Sequence, residues 1–364
     1  CLGVSAIVAG QEVNFFVDVL PASEAFVRNS EGSVIELNDG RLYLLGTRFY
    51  GGDADNAAAN IVARISSDGG KVWSDPVVVQ ENVGAQNVMS ASLQRLTAER
   101  TPDGKRGAGP IGFFYLVGNS DSDLKVYLRT SSDEAKTWSE PVCVTNRPGY
   151  HVMNNDRVVR LSRGRLLCPV AWTADSTKVD HYTSLCFMSD DQGKTWVAGK
   201  GEADAPKRGA MEPEVIERSD GSVLMLIRTQ TGRNYAAVSH DGGDSWDVAE
   251  PFGPAAPEAP STLRRIPATG DWLLVFNPVT KEGADHGGER TPLSAAISKD
   301  EGKTWLPARD IETRSDQAYA YTSLIFVDDR ALMSYYLLDK KSKWLSTRFR
   351  SIAISWFYEG QTGH

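Results

Sequence analysis

Apolar residues along this chain fall into short runs, and a polar turn splits many of the runs into pairs. In "ELNDGRLYLL", "RLSRGRLLCPV", "ERSDGSVLMLI", "RRIPATGDWLLVF" and "FVDDRALMSYY" two apolar segments flank a turn built around Asp, Gly or both. Such a pattern predicts two antiparallel strands joined by a tight hairpin. The stretch from Gln86 to Gly118 makes a sixth pair, its Pro102-Asp103-Gly104 turn lengthened by a polar insert.

A second pattern lies between the hairpins. "SSDGGKVW", "SSDEAKTW", "SDDQGKTW", "SHDGGDSW" and "SKDEGKTW" close on Trp73, Trp138, Trp196, Trp246 and Trp305, spaced 50 to 65 residues apart. An enzyme has no use for five equivalent active sites, so each copy reads as a structural pin. Its Asp accepts hydrogen bonds from backbone N–H groups two or three residues on. The Trp supplies a large apolar surface to bury between sheets. Copy two carries Ala135 where the others have glycine, and copy one has Val72 in place of Thr or Ser. A loose repeat of this length matches one four-stranded blade of a β-propeller. Six hairpin openings therefore predict an all-β chain, a six-bladed β-propeller whose last blade is completed by an N-terminal strand such as Val13 to Val19. A repeat architecture lets a chain of 364 residues fold as one unit. Residues 13–364 would form that single domain, with 1–12 a tail or the remnant of a signal peptide.

Composition narrows the partners. A net charge of −8 argues against nucleic acid. A protein this acidic must concentrate positive charge locally if its ligand is an anion. No stretch reaches the roughly 20 apolar residues of a membrane span. The opening "CLGVSAIVAG" fits the end of a secretory signal, a lipid-bearing Cys1 or an ordinary first strand. The first two point to a secreted or cell-envelope protein. Cys143, Cys168 and Cys186 are too few for a disulfide framework. A bridge between Cys168 and Cys186 and a pair of buried thiols both remain open.

Residues equidistant from a hairpin turn face each other across the strands. Counting outward places Glu212 opposite Arg228, Arg28 opposite Arg48, Asn154 opposite Trp172 and Tyr321 opposite Tyr336. All lie at the hairpin end remote from the turn, where the first strands of a propeller line one mouth of its channel. A lone Arg or Tyr there is ordinary surface or packing. A ring of them has to bind something or be satisfied internally.

The S-x-D-x-G-x-T-W pattern is the Asp box, and at this density the chain resembles the sialidase (neuraminidase) superfamily over nearly its whole length. Sialidases hold the carboxylate of sialic acid with three arginines. The resemblance gives that work to Arg28 in "FVRNSEGSVIEL", Arg228 in "SVLMLIRTQ" and Arg290 in "GGERTPLSAAISKDEGKTW". Guanidinium groups stay charged and grip a carboxylate with two parallel hydrogen bonds. Tyr321 in "AYAYTSLIF" matches the family's nucleophile. A tyrosine suits a carboxylate-bearing anomeric carbon, which would repel an anionic nucleophile. Glu212 in "AMEPEVIE" matches the glutamate that takes the phenolic proton, a help that a phenol of pKa near ~10 needs. In "TRFYGGDADN" Asp53 is the preferred acid and Asp55 its competitor or a substrate contact. The resemblance implies a retaining exo-α-sialidase acting on a sialylated glycan, with no cofactor and no metal.

Several residues depart from that pattern. Arg28 is followed by Asn-Ser-Glu instead of the family's Ile-Pro, which brings Glu31 to the place expected for the substrate carboxylate. An enzyme acting on another acidic sugar, such as a uronate, is therefore the nearest rival. A non-catalytic glycan-binding propeller is the rival of another class, since one fold hosts many functions. "GYHVMNNDR" offers His151, Asn154, Asn155 and Asp156, either as sugar contacts beside Trp172 or as a hydrogen-bonded loop. His286 has no second His at metal-binding spacing and reads as loop decoration.

Overall fold

The computed structural model describes residues 14–97, 109–278 and 288–360. The Pro102-Asp103-Gly104 turn, His286 and the segment carrying Cys1 lie outside the described residues. Within them the regular elements are β-strands, with one short 3-10 helix at Ile354–Tyr358. No helix among them is long and apolar enough to cross a membrane.

The chain is all-β and built from small antiparallel meanders. Met211–Glu217, Val223–Arg228, Arg233–Ser239 and Glu250–Ala255 make one four-stranded sheet. Thr262–Arg265, Trp272–Phe276, Leu293–Ser298 and Arg309–Glu312 make another. A nine-stranded sheet joins two meanders where Gly149–Val152 runs parallel to Asp123–Ser131. An eight-stranded sheet carries strands from both ends of the sequence. There Arg28 pairs in parallel with Leu345, and Asn14–Leu20 lies antiparallel along Leu345–Ala353, the outer position expected for an N-terminal strand. Cores fill the space between neighbouring sheets; Leu273, Val275, Ala295 and Ile297, for example, pack with Tyr319, Leu324, Met333 and Tyr335.

The five Asp boxes act as pins. In the first, Asp68 accepts the backbone N–H groups of Lys71 and Val72 at 3.0 and 2.9 Å, and Ser66 accepts that of Gly70 at 2.9 Å. The Trp73 indole donates to the Gly70 carbonyl at 2.8 Å and packs edge-on against Phe349. Ala135 takes the glycine position of the second copy with φ of 62°, so the turn imposes a left-handed conformation on a residue that ordinarily avoids it. Cys168 and Cys186 are free thiols. Cys168 stands opposite Phe187, and Cys186 opposite Pro169. Because that offset is one residue, the two sulfurs face different cores and cannot bridge.

Polar cross-links tie the innermost strands to one another. Ser33 accepts the N–H of Leu93 at 3.0 Å, and Ser92 accepts that of Val158 at 3.1 Å. Arg157 donates to Glu214 at 2.5 Å, and Glu214 accepts the N–H of Leu263 at 3.0 Å. Thr262 donates to the Thr322 carbonyl at 2.7 Å, and Ser323 accepts the N–H of Val34 at 3.2 Å, which returns the series to its start. Asp156 is the hub: it accepts from the Ser33 hydroxyl at 2.9 Å, the Leu324 N–H at 3.0 Å and Arg264 at 3.2 Å.

Four of these strands carry the same irregularity. One extra residue is inserted between Ser30 and Ser33, Met89 and Ser92, Met211 and Glu214, and Ala320 and Ser323. Each bulge contains a non-glycine residue with positive φ: Glu31, Ser90, Glu212 and Tyr321. These insertions correct the pairings counted from the turns. Met211, not Glu212, stands opposite Arg228, and Ala320, not Tyr321, stands opposite Tyr336. Arg28 faces Phe49, and Arg48 faces Asn29. Trp172 faces His151, because residues between Val152 and Val159 buckle away from the ladder and leave Asn154 unpaired in it.

Two effects on stability are expected. Asp156→Ala should destabilise the fold by about 3–5 kcal/mol, since it strips a buried ion pair of one partner; urea unfolding measures this, and an unchanged midpoint would contradict the hub. The second concerns acid. Hydrogen bonds from Thr137, Thr195 and Thr304 help hold Asp133, Asp191 and Asp300 down at about 2, against about 3.9 in an unfolded chain. A depressed carboxylate stabilises above the unfolded value and loses that contribution as pH falls through the folded one. The melting temperature should therefore drop between about pH 4 and pH 2. A variant with all three threonines replaced by Val should show a shallower drop.

Candidate active site

The bulges in Met211–Glu217 and Gln317–Val327 bring together two side chains from strands that do not pair with each other. The Tyr321 phenol donates to Glu212 Oε1 at 3.1 Å. Their backbones sit at φ of 60° and 39°, a strained region that persists only where surroundings over-determine it. Asn155 supplies part of that constraint. Fully buried, it donates from Nδ2 to the Tyr321 carbonyl at 3.0 Å and to the Gly32 carbonyl at 2.6 Å.

Cations surround the pair. Arg228, buried, donates to Glu212 Oε2 at 2.6 Å and lies 4.0 Å from Glu258. The Arg290 guanidinium sits 5.6 Å from the Tyr321 ring centre and donates to the Tyr336 hydroxyl at 2.5 Å. The two tyrosine rings are 5.5 Å apart. Burial pushes the Tyr321 phenol well above its ordinary range; Glu212 adds to the rise, and Arg228 and Arg290 oppose it. A phenol in this setting stays neutral until its proton has somewhere to go, and Glu212 is within reach to take it.

Arg28 is buried against the Phe49 ring. It donates to Glu31 at 2.8 Å, to Asp55 at 2.6 Å, to the Asp53 carbonyl at 2.9 Å and to Ser30 at 3.2 Å. Asp53 and Asp55 lie on an exposed loop, which Asn87 anchors through the carbonyls of Asp55 and Ala57. Arg28 thus joins the loop of the two acid candidates to the strand that bears Glu31.

Other sequence candidates make no hydrogen bond to the Tyr321–Glu212 pair among the described residues. Arg48 stacks on Phe26 and reaches Asn60 at 3.4 Å. Trp172 lies under the Arg147 guanidinium and donates to the Pro148 carbonyl. Asn154 is buried and accepts the N–H of Asn155 at 2.7 Å; its Nδ2 has no protein partner among the described residues. His151 is a core residue bonded to the Leu124 carbonyl, and burial pulls it down to about 4.

Sequence reasoning passed over three groups. Glu258 and Arg208 pair at 2.6 Å behind Arg228. Arg157, wholly buried, is pulled by burial down to about 10 while Glu212 and Asp156 oppose that fall, so it lies within the field of the site. Arg157 follows Asp156 in a segment already singled out, and the Asp-Arg pair was the available signal. Among the described residues no three His, Cys, Asp or Glu side chains group as a metal site would require. A cleft of about 420 Å³ lined by Leu161, Glu217, Arg218 and Arg265 lies at the turn end of the hairpins, and none of the candidate residues lines it.

Repeated Asp boxes on small antiparallel sheets, with arginines, a tyrosine and a glutamate gathered where the inner strands bulge, define a BNR-type β protein. Residues 97–333 match the family model described as BNR repeat-like domain. The chain belongs to that family, within the sialidase superfamily. It is 30% identical over 240 residues to a sialidase of Paraclostridium sordellii, a match covering 60% of this chain and 57% of the relative. It is 27% identical over 236 residues to a sialidase of Clostridium perfringens, covering 59% of each. The chain thus spans well under two thirds of the length of these curated relatives. In fold it is similar to a Trypanosoma rangeli sialidase mutant displaying trans-sialidase activity, with a TM-score of 0.71, 17% identity and coverage of 93% of this chain and 59% of that one. A Dyadobacter fermentans protein of unknown function aligns over 94% of this chain and its own full length, with a TM-score of 0.73 and 19% identity.

Proposed function

We propose that the protein is an exo-α-sialidase, a retaining glycoside hydrolase that releases terminal sialic acid from glycoconjugates. Its scaffold is a six-bladed β-propeller formed by residues 13–364. The succession of hairpins and the closed series of inner-strand cross-links support six blades. The observation that carries the activity is the Tyr321 phenol bonded to Glu212 between Arg228 and Arg290.

In the first step the Tyr321 oxygen attacks the anomeric carbon while its proton passes to Glu212. The glycosidic C–O bond breaks, and Asp53 gives its proton to the departing oxygen. A covalent sugar–tyrosine intermediate results. Water then attacks the same carbon, Asp53 takes its proton, and the phenolate leaves and recovers the proton from Glu212. Arg228 and Arg290 hold the substrate carboxylate, and Arg28 is the third arginine of the set, paired with Asp55 and Glu31. Asn154 and Trp172 contact the glycan, and Arg48 extends the basic rim. Glu31 on Arg28 favours a second reading on the same machinery, in which the substrate is another acidic sugar such as a uronate.

Release of an aryl α-sialoside tests the first reading, with an aryl β-glucuronide beside it for the second. Tyr321→Phe should lower kcat roughly a thousandfold or more, with the protein folded. Turnover that survives this change would remove Tyr321 as nucleophile. Asp53→Asn should slow a sialyl oligosaccharide by about a hundredfold, because its leaving oxygen needs a proton, and an aryl sialoside much less. If Asp55→Asn shows that pattern instead, Asp55 is the acid.

A further inference from the structure

Arg28 has five N–H donors, as any guanidinium does. Four are engaged within the protein: Nε on Ser30, one Nη on both the Asp53 carbonyl and Asp55, and the other Nη on Glu31. A substrate carboxylate that binds in two-point fashion needs two neighbouring donors, so it has to displace a resident acceptor. The two resident carboxylates differ in how easily they leave. The Asp55 side chain is 83% exposed on a loop, whereas that of Glu31 is 2% exposed. Ser30 also donates to the second oxygen of Glu31 while accepting from Arg28 Nε, which closes a buried triangle of three side chains.

Glu31 occupies the bulge position in its strand that Glu212 and Tyr321 occupy in theirs, with the same positive φ. It is close enough to Tyr321 to help push the phenol up. Arg228 differs from Arg28. Its Nε is buried with no partner among the described residues, and only one of its Nη atoms reaches a carboxylate within normal hydrogen-bond distance.

We propose that Glu31 is a specificity-determining residue that fills, on Arg28, the seat a substrate carboxylate would take. The anionic sugar is then held through Arg228 and Arg290 without Arg28. The substrate class rests on the function proposed above; the blocking of Arg28 does not.

Calorimetric titration of the folded chain with 2,3-didehydro-2-deoxy-N-acetylneuraminic acid, its methyl ester and glucuronic acid separates the two. Removing a like charge from beside a bound anion should tighten at least one of the two carboxylate ligands by about tenfold in Glu31→Gln, with the ester unchanged. Ser30→Ala, which loosens Glu31 without removing it, should give a smaller gain of the same sign. Equal shifts for acid and ester, or no gain for either acid in either variant, would overturn the proposal. A selective gain for glucuronic acid in a protein that cleaves no sialoside would uphold the role of Glu31 and remove the sialidase reading. Sialoside turnover without any gain in Glu31→Gln would do the reverse.

Discussion

The fold depends on polar groups passed from each inner strand to the next. These strands are buried, so their hydroxyls, carboxylates and spare N–H groups have no water to fall back on. Four such links join inner segments that do not pair with one another in a ladder: Ser33 to Leu93, Ser92 to Val158, Glu214 to Leu263, Ser323 to Val34. A buried network is stabilising only when complete, which makes each sheet's position conditional on its neighbours. Asp156, in the turn between two strands, concentrates that dependence by accepting from three different strands.

The bulges sit on this framework and turn it to chemical use. One added residue per strand leaves an unpaired position, and the surrounding ladder pays for its left-handed backbone. Where that position is Ser90, its N–H donates to the Thr47 hydroxyl at 3.0 Å. Where it is Glu212, Tyr321 or Glu31, an ionisable or phenolic group is presented among the arginines. Asn155 bridges two of these bulges, so the geometry of Tyr321 is tied to that of the Glu31 strand.

The strand pairs and the Asp boxes were legible because each is a local pattern: turn residues between apolar runs, and an Asp whose partners lie within four residues. Register was misjudged by one at Glu212 and Tyr321 because the bulges contain no Gly or Pro at their positive-φ residue to announce them. Arg28, Arg228, Glu212 and Tyr321 share the hairpin end remote from the turn, a property a one-residue slip does not disturb, whereas Arg290 was legible only through the resemblance of its segment to the sialidase pattern. Arg157, Arg208 and Glu258 escaped notice because the pairs Arg157–Glu214 and Arg208–Glu258 join residues 50 or more positions apart. The separate faces of Cys168 and Cys186 follow from strand alternation once the register is known.

The sheet that holds both Asn14–Leu20 and Leu345–Ala353 makes the earliest and latest strands among the described residues neighbours. During synthesis Asn14–Leu20 waits without its partner until the Leu345 segment leaves the ribosome, so closure carries a large loop entropy and comes late. Until then the early strands present unpaired edges, the kind that recruits foreign strands. The charged side chains of Asp18, Arg348 and Arg350 along this seam give that exposed interval a measure of protection from mispairing.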